Sequence, residues 1–366
     1  MKVLILSCDT GEGHNSAGRA LSDYFTRRGV ECEMLNALKF YPRALAALIS
    51  KGHVFIYRKL PLLFGAGYRM EEKHTSKLMI KGIEEAAEAL CQYIEAGGYD
   101  AALCVHAFPA LMLTKARRSF GLSIPQYFFA TDYTCSPSVN ETDMDAYFIP
   151  RGTKAEFVAC GLPAEKMVES GIPVQEAFYA PRDREGARRA LNIDPNCRLL
   201  LLMCGSMGCG PIEELVDTLA GQLGGNARLI AVCGSNKKLY AALQEKNLPD
   251  HIRILGYTND MRRLMDAADV FLSKPGGLSS TEAMVKRLPM VAIDAVPGCE
   301  TRNLEFFLSH GYVTTADTVE GLAERALDLL NHPDKTEGMR RAVERDFSTC
   351  AVEEAYQYIM YHSSGI

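Results

Sequence analysis

The chain has 366 residues, 48% of them hydrophobic and 23% charged, with a formal net charge of -5. At about 100–200 residues per domain that length holds two or three domains, and the composition excludes long disorder and fibrous repeats. The negative balance argues against a dedicated nucleic-acid binder. Twelve cysteines without any C-x-x-C pair give no zinc ligand set and suit a reducing cytosol.

Apolar runs and amphipathic stretches alternate throughout, the pattern of parallel α/β units. Val3–Cys8 reads as a buried strand, because Asp9, Glu12 and His14 cut its apolar run too short for a signal peptide. A helix is predicted over Ser16–Arg28, where Ala17, Ala20, Leu21 and Tyr24 recur at helical spacing, then a strand over Glu31–Leu35. Residues 39–81 carry nine basic residues against Glu71 and Glu72, a local +7 interleaved with six aromatic residues, although residues 1–150 as a whole are neutral. A helix over Lys73–Ala96, strands over Ala101–Val105, Gln126–Phe129 and Ala146–Ile149, and a helix over Pro109–Phe120 complete the first half. A proline- and glycine-marked passage from Gly161 to Val174 interrupts the pattern. It sets expected domains over 1–172 and 173–366, with the last helix a candidate to pack back on the first domain.

The second half restarts with a leucine-rich strand, Arg198–Cys204. Helices from Ile212 and Asn236 alternate with strands Arg228–Cys233 and Ile252–Leu255. Strands Val270–Ser273 and Met290–Ile293 flank a helix from Ser279 to Arg287, and several helices follow. Both halves open alike, each with a strand, a glycine loop and a helix. Two Rossmann-like, doubly wound domains facing a central cleft are therefore expected. No apolar run approaches the roughly 18–20 residues of a membrane-spanning helix.

Three motifs carry chemistry. The first is Asp9-Thr10-Gly11-Glu12-Gly13-His14-Asn15-Ser16, a glycine turn after the first strand. It puts His14 at the start of the next helix, where the dipole disfavours the imidazolium and leaves the ring able to accept a proton. It is neither a phosphate-loop nor a full dinucleotide signature. The second is Ser273-Lys274-Pro275-Gly276-Gly277-Leu278-Ser279-Ser280-Thr281-Glu282, in which two glycines and three hydroxyl residues open a helix as an anion site beside Lys274. The competing structural account is a capping box from Ser279 to Glu282, which needs no preceding Lys-Pro-Gly-Gly. The third is Pro297-Gly298-Cys299-Glu300-Thr301-Arg302-Asn303, a polar stretch expected at the same sheet edge as the second. Asp143-Met144-Asp145 spells a cation-binding D-x-D, but its setting before Tyr147-Phe148-Ile149-Pro150 reads as a solvated turn.

Together with His106 in Val105–Pro109, Asp132 in Thr131–Pro137, Gly171–Val174, Gly205–Ile212, Cys233–Leu239 and Gly256-Tyr257, these motifs resemble the monogalactosyldiacylglycerol synthase and processive diacylglycerol glucosyltransferase family, of GT-B fold. The resemblance implies inverting transfer of a hexose, glucose or galactose, from a UDP-sugar to membrane diacylglycerol, without metal or other cofactor. It makes His14 the general base, with His106 and Asp132 assisting on the acceptor side. Gly13, Gly205, Ser206, Asn236, Lys274, Gly276, Gly277, Ser279, Ser280 and Thr281 become donor-binding residues. Tyr257 goes to the uracil, Glu282 to the ribose, and Glu300 and Asn303 to the sugar. Gln175 stands where relatives often carry an arginine, and glutamine also occurs in relatives at the position of Glu300, so the hexose epimer stays open.

Diacylglycerol never leaves the bilayer, so the enzyme is expected at the inner face of the cell membrane as a peripheral protein of the cytoplasm. Lys73, Lys77 and Lys81 form one helical stripe, and with Phe55, Tyr57 and Phe64 they would bind an anionic surface. The rival readings are N-acetylglucosaminyl transfer to a polyprenyl-linked acceptor, a UDP-sugar epimerase, and a UDP-sugar-binding regulator without catalysis.

Overall fold

The computed structural model describes residues 1–9, 11–42, 46, 77–136, 138–293 and 298–363. Its helices are, in chain order, α1 Glu12–Thr26, α2 Lys77–Gly97, α3 Ala107–Phe120, α4 Lys154–Ala159, α5 Arg184–Ala190, α6 Ile212–Gln222, α7 Lys237–Glu245, α8 Met261–Ala267, α9 Gly277–Val285, α10 Cys299–Ser309, α11 Val319–Asn331, α12 Glu337–Asp346 and α13 Ala351–Ser363. The chain divides into two compact units. The first comprises Met1–Glu176, Val296–Arg302 and Thr349–Ile366; the second comprises Ala177–Ala295 and Asn303–Ser348.

The first unit is built on strands β1 Lys2–Ser7, β2 Glu31–Asn36, β3 Ala101–Cys104, β4 Gln126–Phe129, β5 Ala146–Phe148 and β6 Met167–Val168. They form one parallel sheet of order β2-β1-β3-β4-β5-β6. Strand side chains alternate between faces, and in this sheet both faces are apolar, which explains the near-continuous hydrophobic runs. Leu4, Leu6, Ala102, Cys104 and Phe128 pack with Ile83, Ala87 and Leu90 of α2 and Ala110 and Leu113 of α3. Val3, Ile5, Leu103, Tyr127 and Phe129 pack on the other side with Ala17, Leu21 and Phe25 of α1 and Val352, Ala355 and Ile359 of α13. Tyr356 of α13 sets its ring 5.1 Å from Phe25, and Arg151 forms an ion pair with Glu354.

The second unit holds β7 Arg198–Met203, β8 Ala227–Val232, β9 Ile252–Leu255, β10 Val270–Ser273, β11 Met290–Ala292 and β12 Val313–Thr315. This sheet is also parallel, in the order β12-β11-β10-β7-β8-β9. Leu200, Leu202, Leu229 and Leu272 bury against Leu215 and Leu219 of α6 and Ala323 and Leu330 of α11. A fully buried cation belongs to this unit: Arg188 donates to Asp269 at 2.8 Å and to the carbonyls of Ala267 at 3.0 Å and Cys197 at 2.6 Å. Lys286 similarly pairs with Asp266 at 3.0 Å, both buried. Such buried charges persist because each is matched by an acceptor or an opposite charge.

In both sheets the strand order reverses once. The chain builds β1 and β2 to one side and then places β3 on the other side of β1. Likewise β7, β8 and β9 run one way before β10 pairs with the free edge of β7. Ligands of open α/β sheets bind beyond the carboxyl ends of the strands at such a reversal.

Candidate functional site

In the first unit, the loops leaving β1 and β3 flank the reversal, and they carry His14 and His106. Gly11 caps α1 in an extended conformation, without a side-chain hydrogen bond, and the helix begins at Glu12 rather than at the expected Ser16. His14 therefore lies in the first turn. Its Nδ1 sits 2.9 Å from the carbonyl oxygen of Val105 and 2.9 Å from Oγ1 of Thr131. A carbonyl oxygen only accepts, so Nδ1 carries the hydrogen and the lone pair of the neutral ring is on Nε2.

His106 has the opposite tautomer. It caps α3, and its Nδ1 accepts the backbone N–H of Phe108 at 3.1 Å, which leaves its hydrogen on Nε2. The two rings meet edge to face with centroids 4.6 Å apart. One imidazole thus offers a proton acceptor and its neighbour a donor. The loop after β1 is held by a chain of hydrogen bonds: Ser7 donates to Asn15 at 2.6 Å, Asn15 to Asp9 at 3.1 Å, and Asn36 to Asp9 at 2.6 Å. Asp132 is half-buried in the bend after β4. Burial first, and the charges of Asp132 and Glu300 after it, hold the Cys299 thiol well above its ordinary range, which puts the 299–302 segment beside this bend. Arg302 reaches Oγ1 of Thr134 at 3.4 Å, and the Thr134 hydroxyl donates to Glu156.

In the second unit the loops after β7 and β10 flank the reversal. The β7 loop turns through Gly205 and Gly208 at φ +67 and +58, and lies against the β8 loop at Gly234. A Cβ on Gly208 would stand 2.0 Å from the Cys233 carbonyl oxygen, and one on Gly234 would stand 2.3 Å from that of Ser206. Only glycine permits both the conformation and the approach. Asn236, expected to bind donor, works inside this junction. Its amide donates to the Gly208 carbonyl at 2.9 Å, and its Oδ1 accepts the Leu239 N–H at 3.1 Å as the cap of α7.

The β10 loop departs from the expected helix start. The cap of α9 is Gly276, without a side-chain hydrogen bond, and the helix begins at Gly277. Ser279 is already inside the helix, so the Ser279–Glu282 capping box does not form. Gly276 N–H turns back to the Lys274 carbonyl at 2.8 Å, and the first turn from Gly277 begins without a side-chain cap, an arrangement suited to anions at helix N-termini. Lys274 is buried beside it. The hydroxyls turn inward: Ser280 and Thr281 are buried, and Thr281 bonds the Gly277 carbonyl at 2.6 Å. Glu282 remains partly accessible, yet burial alone pushes its carboxyl up to about 8. Asn303 is fully buried and donates to the Pro275 carbonyl at 3.1 Å, which steadies this loop. The third motif is thus divided: Asn303 serves the second unit, while Glu300, also buried, falls in the first. Tyr257, just past β9, is 59% exposed, and Gln175 is exposed as well.

The D-x-D carboxylates are committed elsewhere. Asp143 pairs with Lys166 at 3.0 Å, which holds its carboxyl below the usual range, and Asp145 pairs with Arg117. Phe55, Tyr57, Phe64 and Lys73 lie outside the described residues, as do Thr10, Pro137 and Pro297; Lys77 and Lys81 are described only as backbone of α2. Among the described residues no helix is long and apolar enough to cross a membrane. As partners of His14, Thr131 and the Val105 carbonyl leave no mark in the sequence, since one is remote along the chain and the other is main chain.

Residues 14–174 match the family model of monogalactosyldiacylglycerol synthase, and residues 212–346 that of the group 1 glycosyl transferases. A processive diacylglycerol beta-glucosyltransferase of Staphylococcus saprophyticus is 24% identical, with 99% of this chain and 94% of that protein aligned. Among solved structures, MurG of Acinetobacter baumannii superposes with a TM-score of 0.66 at 16% identity, covering 98% of this chain and 99% of its own. The MnaA–UDP structure from S. aureus gives 0.67 at 13% identity, covering 100% and 97%. These structural likenesses establish the fold, a pair of Rossmann-like units of GT-B type.

Proposed function

We propose that the chain acts as the monogalactosyldiacylglycerol synthases and processive diacylglycerol glucosyltransferases it resembles, moving a hexose from a UDP-sugar to diacylglycerol and inverting the anomeric carbon; the family-model match over residues 14–174 and the full-length likeness to a processive diacylglycerol beta-glucosyltransferase support this. It is an enzyme of the glycosyltransferase class. The observation that carries the mechanism is the 2.9 Å approach of His14 Nδ1 to the Val105 carbonyl oxygen, which assigns the hydrogen to Nδ1 and the lone pair to Nε2.

In the reaction, Nε2 takes the proton of the acceptor hydroxyl while that oxygen attacks the anomeric carbon. The carbon–oxygen bond to the diphosphate breaks, and its electron pair leaves with UDP. A positioned base of this kind is worth about 10²–10⁴ in rate. His106, through its Nε2–H, and Asp132 orient the acceptor. Charge arriving on the diphosphate meets the uncapped first turn of α9, Lys274, and the Gly205-Ser206 loop, which stabilise the departing group. Glu282 accepts hydrogen bonds from the ribose hydroxyls; Tyr257 lies at the uracil, and Glu300 and Asn303 approach the sugar. The scheme calls on no metal or cofactor.

The test offers labelled UDP-glucose and UDP-galactose in competition to the enzyme with diacylglycerol vesicles, followed by mass spectrometry of extracted lipid. A hexosyl-diacylglycerol is expected, and the sugar found identifies the donor. UDP-sugar binding without lipid product would replace the reading with a binding regulator. In a parallel arm with labelled UDP-N-acetylglucosamine and a polyprenyl-linked acceptor, label in that acceptor, with none entering diacylglycerol in the first arm, would replace it with the N-acetylglucosaminyl transfer. Membrane contact rests on the basic aromatic sequence of residues 39–81 alone. Vesicle sedimentation should rise with anionic lipid and fall with salt, and neutralising Lys73, Lys77 and Lys81 together should weaken it by about 1 kcal/mol per lysine. Unchanged sedimentation would remove the surface-binding role.

A further inference from the structure

The His14 ring has two partners on one nitrogen, the Val105 carbonyl and the Thr131 hydroxyl, each 2.9 Å from Nδ1. One nitrogen carries one hydrogen. If the hydroxyl donated to a bare Nδ1, the Val105 oxygen would face that nitrogen's lone pair across 2.9 Å with no hydrogen between them. The arrangement without repulsion has Nδ1–H shared between both oxygens, a three-centre bond. Thr131 comes from the bend after β4, Val105 from the end of β3, and His14 from α1, so segments from three places in the chain converge on this one hydrogen.

We propose that Thr131 is a positioning residue for His14: with the Val105 carbonyl it clamps Nδ1–H, fixing both the ring's orientation and Nε2 as the nitrogen that takes the proton. The inference rests on the reading of His14 as the base. During transfer the acceptor proton arrives on Nε2 while the Nδ1 hydrogen stays where it is. The ring becomes a cation, and the Thr131 and Val105 oxygens are the dipoles that face its positive charge. Hydrogen bonds to charged groups are the stronger class, so the clamp tightens as the transition state is reached. His106 on α3 cannot take over the role, because its Nδ1 already accepts from Phe108. The carboxylates of the same loops are Asp9, which accepts from Asn15 and Asn36, Glu12, which pairs with Arg19 at 2.9 Å, and Asp132, next to Thr131 in sequence.

The experiment uses the full chain. Thr131→Val removes the hydroxyl with little change in shape, and Thr131→Ser keeps it. Thr131→Val should lower kcat about tenfold, the order expected of one hydrogen bond to a charged group, and leave KM for both substrates unchanged. The acidic limb of its kcat–pH profile should move to lower pH, since a cation with fewer acceptors loses its proton more easily. Thr131→Ser should restore both. Nitrogen-15 spectra of labelled histidine provide a readout independent of turnover. Wild-type His14 should show a protonated Nδ1 and a bare Nε2, and its titration should shift down in Thr131→Val. A spectrum with Nδ1 bare overturns the proposal, as does Thr131→Val with unchanged kcat and titration. If His14→Ala turns over normally, the base assignment fails, while the His14 titration in Thr131→Val still decides the contact.

Discussion

Under the proposed function, the two strand-order reversals solve different chemical problems with one topology. In the first unit the reversal is furnished by side chains: two imidazoles whose Nδ1 atoms meet a carbonyl and a hydroxyl in one ring and a helix-capping N–H in the other. In the second it is furnished by main chain: glycines at φ +67 and +58, a second glycine loop in contact, and a helix whose cap is glycine. Proton transfer needs a group with a lone pair aimed and a tautomer fixed, which only side chains provide. Diphosphate binding needs several N–H donors close together, which side chains would obstruct. The difference teaches that the sheet chooses the place, and that the presence or absence of Cβ atoms chooses the chemistry.

The largest effect should come from breaking the side-chain half of this contrast. His14→Ala is expected to lower turnover by about 10²–10⁴ and to leave UDP binding, measured by calorimetry, unchanged. Loss of UDP binding in that variant would place the histidine in the donor site and dissolve the contrast. The main-chain half is broken by Gly208→Ala. Its Cβ would strike the Cys233 carbonyl at 2.0 Å in a backbone region that alanine disfavours. Stability should fall by about 2 kcal/mol or more, seen as a lower Tm, with UDP affinity falling too. A variant of wild-type Tm and affinity would show that the loop tolerates side chains.

A smaller effect sharpens the comparison through Glu282. Its folded carboxyl titrates at about 8, far above the ordinary glutamate value near 4.5, because of burial. Between those values the folded state holds a proton that the unfolded state has released, so stability falls as pH rises through this window and levels above it. Ribose hydroxyls donating to the carboxylate favour its ionised form. UDP affinity should therefore rise as pH approaches 8, by no more than about tenfold per pH unit for one proton. Glu282→Gln should flatten that dependence, and an unaltered profile would remove Glu282 from the ribose.

The interior strands were legible because a parallel strand buried on both faces writes itself as a near-continuous apolar run: Gln126–Phe129 and Val270–Ser273 occur as predicted, as does Ile252–Leu255, an edge strand whose exposed Arg253 breaks its apolar run. The edge strands Met167–Val168 and Val313–Thr315 were not, since two or three residues make no pattern. Helix starts were misplaced for a related reason. Ser16 and Ser279 look like beginnings to a reading that seeks side-chain caps, whereas Gly11 and Gly276 begin these helices by backbone alone. His14 and the glycine loops could be singled out as residue types in context, and His106 through the family resemblance. The clamp on His14 could not, because Val105 contributes only a main-chain oxygen and Thr131 lies 117 positions away. Asn236 carries structure that its residue type did not reveal: it caps a helix and ties two turns together.

Helix α13 supplies Val352, Ala355 and Ile359 to the sheet that opens at Lys2. A ribosome therefore finishes the second unit's sequence before it delivers the piece that seals the first. Until then the nascent chain shows an unsealed apolar surface over α1 and the neighbouring strands, a target for chaperones and a cause of aggregation. A fragment stopped before Ala351 should be insoluble for that reason alone, however complete its chemistry.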